Sequence, residues 1–165
     1  MKQAALPGEV AFEQVYRSCY ARLVGQLFLV TTDHAEAEEA VQEAFTRLWA
    51  QWPKLRHYDN PEAWTRRVAL NIAVSRWRRR TRGVQLSAAH DLAAGPGPEG
   101  SDLVVALRAL PVKQRQALVL HHVAGLQVAE VAAEMSARPG TVKSWLSRGR
   151  AALARLVQDK EATSS

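Results

Sequence analysis

The stretch from Gly83 to Gly100 most constrains what this chain can fold into. It holds Gly83, Gly95, Pro96, Gly97, Pro98 and Gly100, a density of helix breakers that no long element tolerates. It reads as a flexible linker, whose 18 residues reach at most ~60 Å when fully extended. The 165 residues are thereby divided into two small modules, predicted over 10–82 and 101–157, with a loose lead-in at 1–9 and a tail at 158–165. Neither module carries the alternating pattern of a strand. The predicted fold class is all-α: two small helical domains joined by a linker long enough for each to occupy its own site on one large partner.

Helix signals organise the first module. Phe12 to Val30 is apolar at helical spacing, and Cys19 falls in line with Phe12, Tyr16, Leu23 and Leu27. That alignment predicts a buried core thiol. Asp33 is placed to cap a second helix running to about Trp49, with Glu36, Glu38 and Glu39 in the early turns where the helix dipole favours them. Gln51 to Asn60 reads as a loop. Asn60 and Pro61 read as cap and first residue of a third helix running to about Arg80.

The module's charges are segregated. Thr31 to Thr46 carries Asp33, Glu36, Glu38, Glu39 and Glu43 and no Lys or Arg. Pro61 to Gly83 carries arginines 66, 67, 76, 78, 79, 80 and 82 against Glu62 alone. A polyanion is repelled by the first helix and attracted by the second. The acidic helix reads either as a solvated face or as a docking surface for a protein. On the third helix, at ~100° per residue, Arg67, Asn71 and Arg78 fall within about 40° of one another. Most of the remaining circumference is apolar: Trp64, Val68, Ala69, Leu70, Ile72, Ala73, Val74 and Trp77. Asn71 reads either as a satisfied interior polar group or as a group suited to a base edge.

In the second module, Ser101 is placed to cap a short helix, Pro111 to start the next and Gly125 to stop it. Val128 to Met135 followed by a long helix from Pro139 has the form of a helix-turn-helix. The chain has no acidic residue between Glu134 and Asp159. Val142, Leu146, Gly149, Leu153 and Leu156 form one apolar face of the long helix. Thr141, Ser144, Ser147, Arg148, Ala151 and Arg155 lie across from it, with Lys143 at the edge. That polar face suits the DNA major groove, with Arg148 able to reach guanine or phosphate.

The formal net charge of +6 favours a polyanionic partner. A single cysteine excludes an internal disulfide. No apolar run approaches a membrane span, and Met1 to Glu9 lacks an apolar signal segment, so a reducing, cytoplasmic location is expected. An enzyme is disfavoured: there is no phosphate loop, nucleophile motif or metal-ligand spacing. His121 and His122, adjacent on a helix, are expected to diverge by ~100°. Neither a metal nor a cofactor is expected.

Two blocks of residues resemble the extracytoplasmic-function (ECF) group of bacterial sigma factors, in the sigma-70 family. The first is Asp33 to Trp49 with Glu38-Glu39-Ala40-Val41-Gln42-Glu43-Ala44-Phe45, then Trp64 to Ala73 followed by the arginine cluster. The second is Leu107 to Pro111, Arg115, Gly125-Leu126, Glu130-Val131-Ala132 and Gly140 to Arg148. They are similar to regions 2 and 4 of that family and cover nearly the whole chain. The resemblance implies a factor that directs core RNA polymerase to promoters. It implies docking on the β′ clamp helices through Glu39, Gln42, Glu43, Phe45 and Trp49, with the β flap as a further polymerase contact. Opening of the −10 element would fall to Leu55, Arg56 and Asn71, with Arg67 and Arg78 beside it. Reading of the −35 duplex would fall to Thr141, Lys143, Ser144, Ser147 and Arg148. An anti-sigma factor is a further implied partner. The chain departs from the family's usual pattern at Gln127, Ser136, Arg138 and Trp145, and has Gly149 inside a helix, where glycine costs ~1 kcal/mol against alanine. The alternative is a helix-turn-helix regulator acting without polymerase, which leaves the acidic helix without a role.

Overall fold

The structure, a computed structural model, describes residues 7–84 and 101–164. The linker expected over 83–100 lies, from residue 85 onward, outside the described residues, as does the lead-in before Pro7. The chain divides into two compact units, Met1–Asp91 and Leu92–Ser165. All described elements are helices.

The first unit contains α1 (Pro7–Thr31), α2 (His34–Ala50), a one-turn α3 (Trp52–Leu55) and α4 (Pro61–Val84). Two of these starts have a clear local cause. Asp33 Oδ1 accepts from Glu36 N at 3.1 Å, and Asn60 Oδ1 accepts from Ala63 N at 2.9 Å, which satisfies amides that the first turn leaves open. Cys19, Leu23 and Leu27 of α1 meet Ala37, Val41 and Leu48 of α2 and Ala69, Leu70 and Ala73 of α4 in one core. Full burial of each leucine stabilises by about 2 kcal/mol. Arg22 closes the α1–α4 side with a two-pronged bond to Glu62, at 2.8 and 2.6 Å.

Two expectations are corrected here. First, α1 begins at Pro7 instead of about residue 10, because the Trp52 indole donates to Gly8 O at 2.8 Å. Phe12 also packs edge-on against Trp49 and Trp52, with centroids 4.9 and 5.5 Å away. Second, the segment after α2, expected as a loop, contains α3, which turns Trp52 and Leu55 into the core.

The second unit contains α5 (Asp102–Arg108), α6 (Val112–Leu118), a π-helical turn (Val119–Val123), α7 (Val128–Met135) and α8 (Pro139–Thr163). Ser101 Oγ caps α5 by accepting from Val104 N at 3.3 Å. Gly125 follows the π turn at φ +75, a conformation suited to glycine. Val131, Val142 and Leu146 are enclosed in a core shared with Leu118 and Leu120. The α8 helix runs beyond residue 157, and Lys160 pairs with Asp102.

Candidate polymerase and nucleic-acid interfaces

The acidic side chains of α2 split into two groups. Glu36 is buried and bound by Arg80 of α4. Glu43 lies between two guanidiniums, Arg47 Nη2 and Arg76 Nη2, each 2.6 Å from one of its oxygens. These two carboxylates are therefore engaged inside the unit. Glu39 remains 71% exposed, with Arg76 Nη1 at 3.5 Å, and Glu38 is half-exposed beside His34. Gln42 is exposed and donates to the Tyr20 hydroxyl at 3.3 Å. Trp49 leaves 46% of its surface free. Glu39, Gln42 and Trp49 thus form an open surface. Phe45, expected on that surface, is 3% exposed: its ring sits under Phe12, Tyr16 and Tyr20 and supports the surface from beneath. The segregated charges of the sequence are thus partly an internal pairing of α2 with α4, which spacing along one helix could not reveal.

On α4, Arg67, Asn71 and Arg78 are all exposed, so the interior reading of Asn71 is set aside. The same arithmetic of turns extends the strip: Ser75, which sequence reasoning passed over, lies four residues beyond Asn71, and Arg82, read there only as part of the basic helix, lies four beyond Arg78; both are exposed. No described residue forms an ion pair with Arg67, Arg78, Arg79 or Arg82, which leaves this face strongly positive. Arg56 is exposed, with Nε 3.2 Å from His57 Nε2. Leu55, expected beside it at the site, is 6% exposed and faces the core. The cause is α3, which orients Leu55 inward together with Trp52.

On α8, Thr141, Lys143, Ser147 and Arg148 are exposed and Ser144 is half-buried. Val142, Leu146 and Gly149 face inward, and Leu153 is half-buried. Leu156, expected on the packed face, is 37% exposed in an open groove with Leu103, Ala106 and Val157. Gly149 allows α8 to approach α6: a Cβ there would stand 2.8 Å from Leu118 Cδ1. The turn before α8 is made by Ser136 in the left-handed region at φ 51, ψ 45. At the start of α7, Glu130 reaches back to the cap residue: the Gln127 backbone N–H donates to Glu130 Oε2 at 2.7 Å.

The titration of Cys19 and of His122 is shifted by their surroundings. Burial pushes the Cys19 thiol up to about 11, with Glu62 adding to the rise and Arg22 opposing it, and Sγ donates to Val15 O. The expected divergence of the two histidines is corrected. In the π turn their rings meet edge to face at 4.8 Å, His121 Nδ1 donating to Leu126 O at 2.7 Å. His122 Nε2 lies 3.3 Å from Arg150 Nη1. Partial burial, then His121 and Arg150, lower the His122 pKa from 6.5. Among the described residues no three His, Cys, Asp or Glu groups converge as metal ligands, and no helix is long and apolar enough to cross a membrane.

An all-helical, two-unit protein with a helix-turn-helix in its second unit is the class these features define. Comparison with known proteins is specific. Region 2 of the sigma-70 family matches residues 15–83, and region 4 matches residues 101–153. The chain is 31% identical over 160 residues to the RNA polymerase sigma-E factor of Streptomyces avermitilis, covering 93% of this chain and 88% of the relative. It is 30% identical over 162 residues to the ECF RNA polymerase sigma factor SigE of Mycolicibacterium smegmatis, covering 90% of this chain and 61% of that longer protein. The fold matches the sigma factor RpoE of Bartonella quintana, solved with the anti-sigma factor NepR, at a TM-score of 0.75 and 29% identity over 89% and 96% of the two chains. The chain belongs to the ECF sigma factors of the sigma-70 family, transcription initiation factors that are themselves non-catalytic.

Proposed function

We propose that the chain recruits core RNA polymerase and opens its promoter through three surfaces. The exposed flank of α2, with Glu39, Gln42 and Trp49, docks on the β′ clamp helices, while Glu43, bonded to Arg47 of the same helix, and the underlying Phe45 hold that flank in shape. The exposed strip of α4, with Arg67, Asn71 and Arg78 and with Arg56 nearby in sequence, holds the opened −10 strand. Arginines bind its phosphates, and Asn71 offers a donor and an acceptor to an unstacked base. The exposed strip of α8, with Thr141, Lys143, Ser144, Ser147 and Arg148, reads the −35 duplex in the major groove. The apolar groove between α5 and α8 is assigned to the β flap. The chain performs no covalent chemistry; the polymerase does. It acts in the cytoplasm, where that enzyme works. An anti-sigma protein is assigned as its inhibitor, by similarity to the Bartonella relative seen with NepR.

The observation that carries this reading is the sign of the open surfaces. The exposed Glu39 carboxylate of α2 points outward, whereas the open faces of α4 and α8 carry cations and no acid among the residues assigned. Polymerase and promoter are thus held by surfaces of opposite charge. The test is capture of core polymerase by the tagged protein. Glu39→Lys is expected to weaken capture about tenfold with normal folding, and unchanged capture would contradict the docking assignment.

A further inference from the structure

The contact between α2 and α4 is built largely on alanines. Projected at ~100° per residue, the side of α2 that meets α4 carries Ala40 and Ala44, flanked by Glu36 and Glu43. The facing stripe of α4 carries Thr65, Ala69, Ile72, Ala73, Arg76 and Arg80. Ala40, Ala44 and Ala69 have no exposed surface, and Ala73 has 2%. Alanines let two helices approach closely, but they make shallow ridges. Ridge-into-groove packing fixes rotation and sliding only as well as its ridges are deep. Directional polar contacts must supply the rest. They come from two arginines that lie about 160° around the helix from the middle of the Arg67–Asn71–Arg78 strip. Arg76 reaches Glu43 at 2.6 Å and Glu39 at 3.5 Å, and Arg80 holds buried Glu36. Arg76 is 31% exposed and joins two carboxylates one turn apart on α2. A planar fork gripping two points resists both rotation and translation.

We propose that Arg76 is a positioning residue for promoter opening, a pin that sets the register of α4 on α2. Polymerase held on α2 thereby presents the α4 strip at a fixed angle to the DNA. Apart from the buried Arg66, the arginines of α4 fall into two sets. Arg76 and Arg80 bind α2, whereas Arg67, Arg78, Arg79 and Arg82 are left for the nucleic acid. Strand opening is work done on the duplex, and a helix free to slide on its support loses the geometry that the unstacked base needs. Core capture needs only the outer flank of α2 and survives loss of the pin.

The inference rests on the sigma-factor reading above, so wild-type holoenzyme opening a promoter is the reference that tests that reading by itself. The experiment reconstitutes holoenzyme with Arg76→Gln or Arg76→Lys. It follows the fluorescence of 2-aminopurine in the −10 element of a duplex promoter, and initiation on the same promoter mismatched there. With Arg76→Gln, core affinity should stay within about twofold of wild type while opening of the duplex slows about tenfold. Initiation on the mismatched template should return to within about twofold, because the opening work has already been done. Arg76→Lys, which keeps the charge but not the two-pronged fork, should recover only part of the rate. If Arg76→Gln melts below the assay temperature, Arg76→Met, which retains the apolar stem, takes its place. Wild-type opening by the Gln variant overturns the proposal. So does a defect that persists on the mismatched template, which marks Arg76 as a direct DNA contact. An equal loss of core affinity, or a Lys variant as fast as wild type, also overturns it.

Discussion

Among single residues, two positions that depart from family habit have opposite consequences. Gly149 breaks the propensity rule for a helix interior, yet α8 and α6 approach closely at that point. In Gly149→Ala the added Cβ stands 2.8 Å from Leu118 Cδ1 and 3.2 Å from Cγ. Leu118 is itself buried, so moving it costs ~1–3 kcal/mol, against ~1 kcal/mol gained in propensity. The expected outcome is a lower melting temperature for the variant; a higher one would show that Leu118 relaxes freely. Ser136 is the opposite case. Its left-handed backbone costs ~1–2 kcal/mol for a residue with a Cβ. Ser136→Gly should raise stability by about 0.5–1 kcal/mol in a denaturant titration, after allowing for glycine's larger unfolded entropy, and a loss would contradict the strain. Both signs were hidden in the sequence. A glycine in a helical run reads as a defect until its neighbour across the interface is known. A serine in a turn does not declare its φ.

Among the helices, starts were legible and partnerships were not. Asp33, Asn60 and Ser101 cap within three residues, so their signal is local. The exposed strips of α4 and α8 were legible too, because period alone sorts the faces of a helix. The burial of Leu55 and Phe45 was not. It depends on a one-turn helix tied to Gly8, 44 residues from Trp52, and on aromatic rings of α1. The α2–α4 ion pairs were equally hidden, since they join residues far apart along the chain, 33 positions for Arg76 and Glu43. Arg80→Ala leaves the buried Glu36 carboxylate with neither oxygen bound to an arginine, because its other oxygen already lacks a partner among the described residues. Arg80 is half-exposed, so the expected loss is ~1–2 kcal/mol, less than for a fully buried pair. Urea titration of the variant checks this, and unchanged stability would contradict it. In the second unit His122 gives a pH dependence. Its folded-state pKa is lowered, so the unfolded chain binds the proton more readily. The contribution is complete above the ordinary value of 6.5 and declines as pH falls through the folded value, since a protonated ring is penalised first by its partial burial and then by His121 and Arg150. Thermal melts on either side of that value should show a slope that His122→Asn reduces. An unchanged slope would contradict this assignment.

For the molecule as a whole, two units do different electrical work. The first unit turns part of its acid inward against α4 and presents the rest outward, so one unit offers an acidic flank and a basic strip without internal conflict. The second presents a recognition helix free of acid from Pro139 to Gln158. The division into two units follows from local composition. What each unit binds depends on which charges remain unpaired after folding. On the function proposed above, these surfaces act together to redirect initiation. Run-off transcription tests this without intermediaries: core polymerase, freed of other sigma factors, is given promoter fragments from the native genome with and without this protein. Discrete, protein-dependent start sites are predicted. At limiting protein they should fall about tenfold when Glu39→Lys removes the docking charge, and be lost when Arg148→Ala and Asn71→Ala together remove the reading groups. Start sites that are identical with and without the protein, at concentrations where it binds core polymerase, would contradict a joint grip on enzyme and promoter.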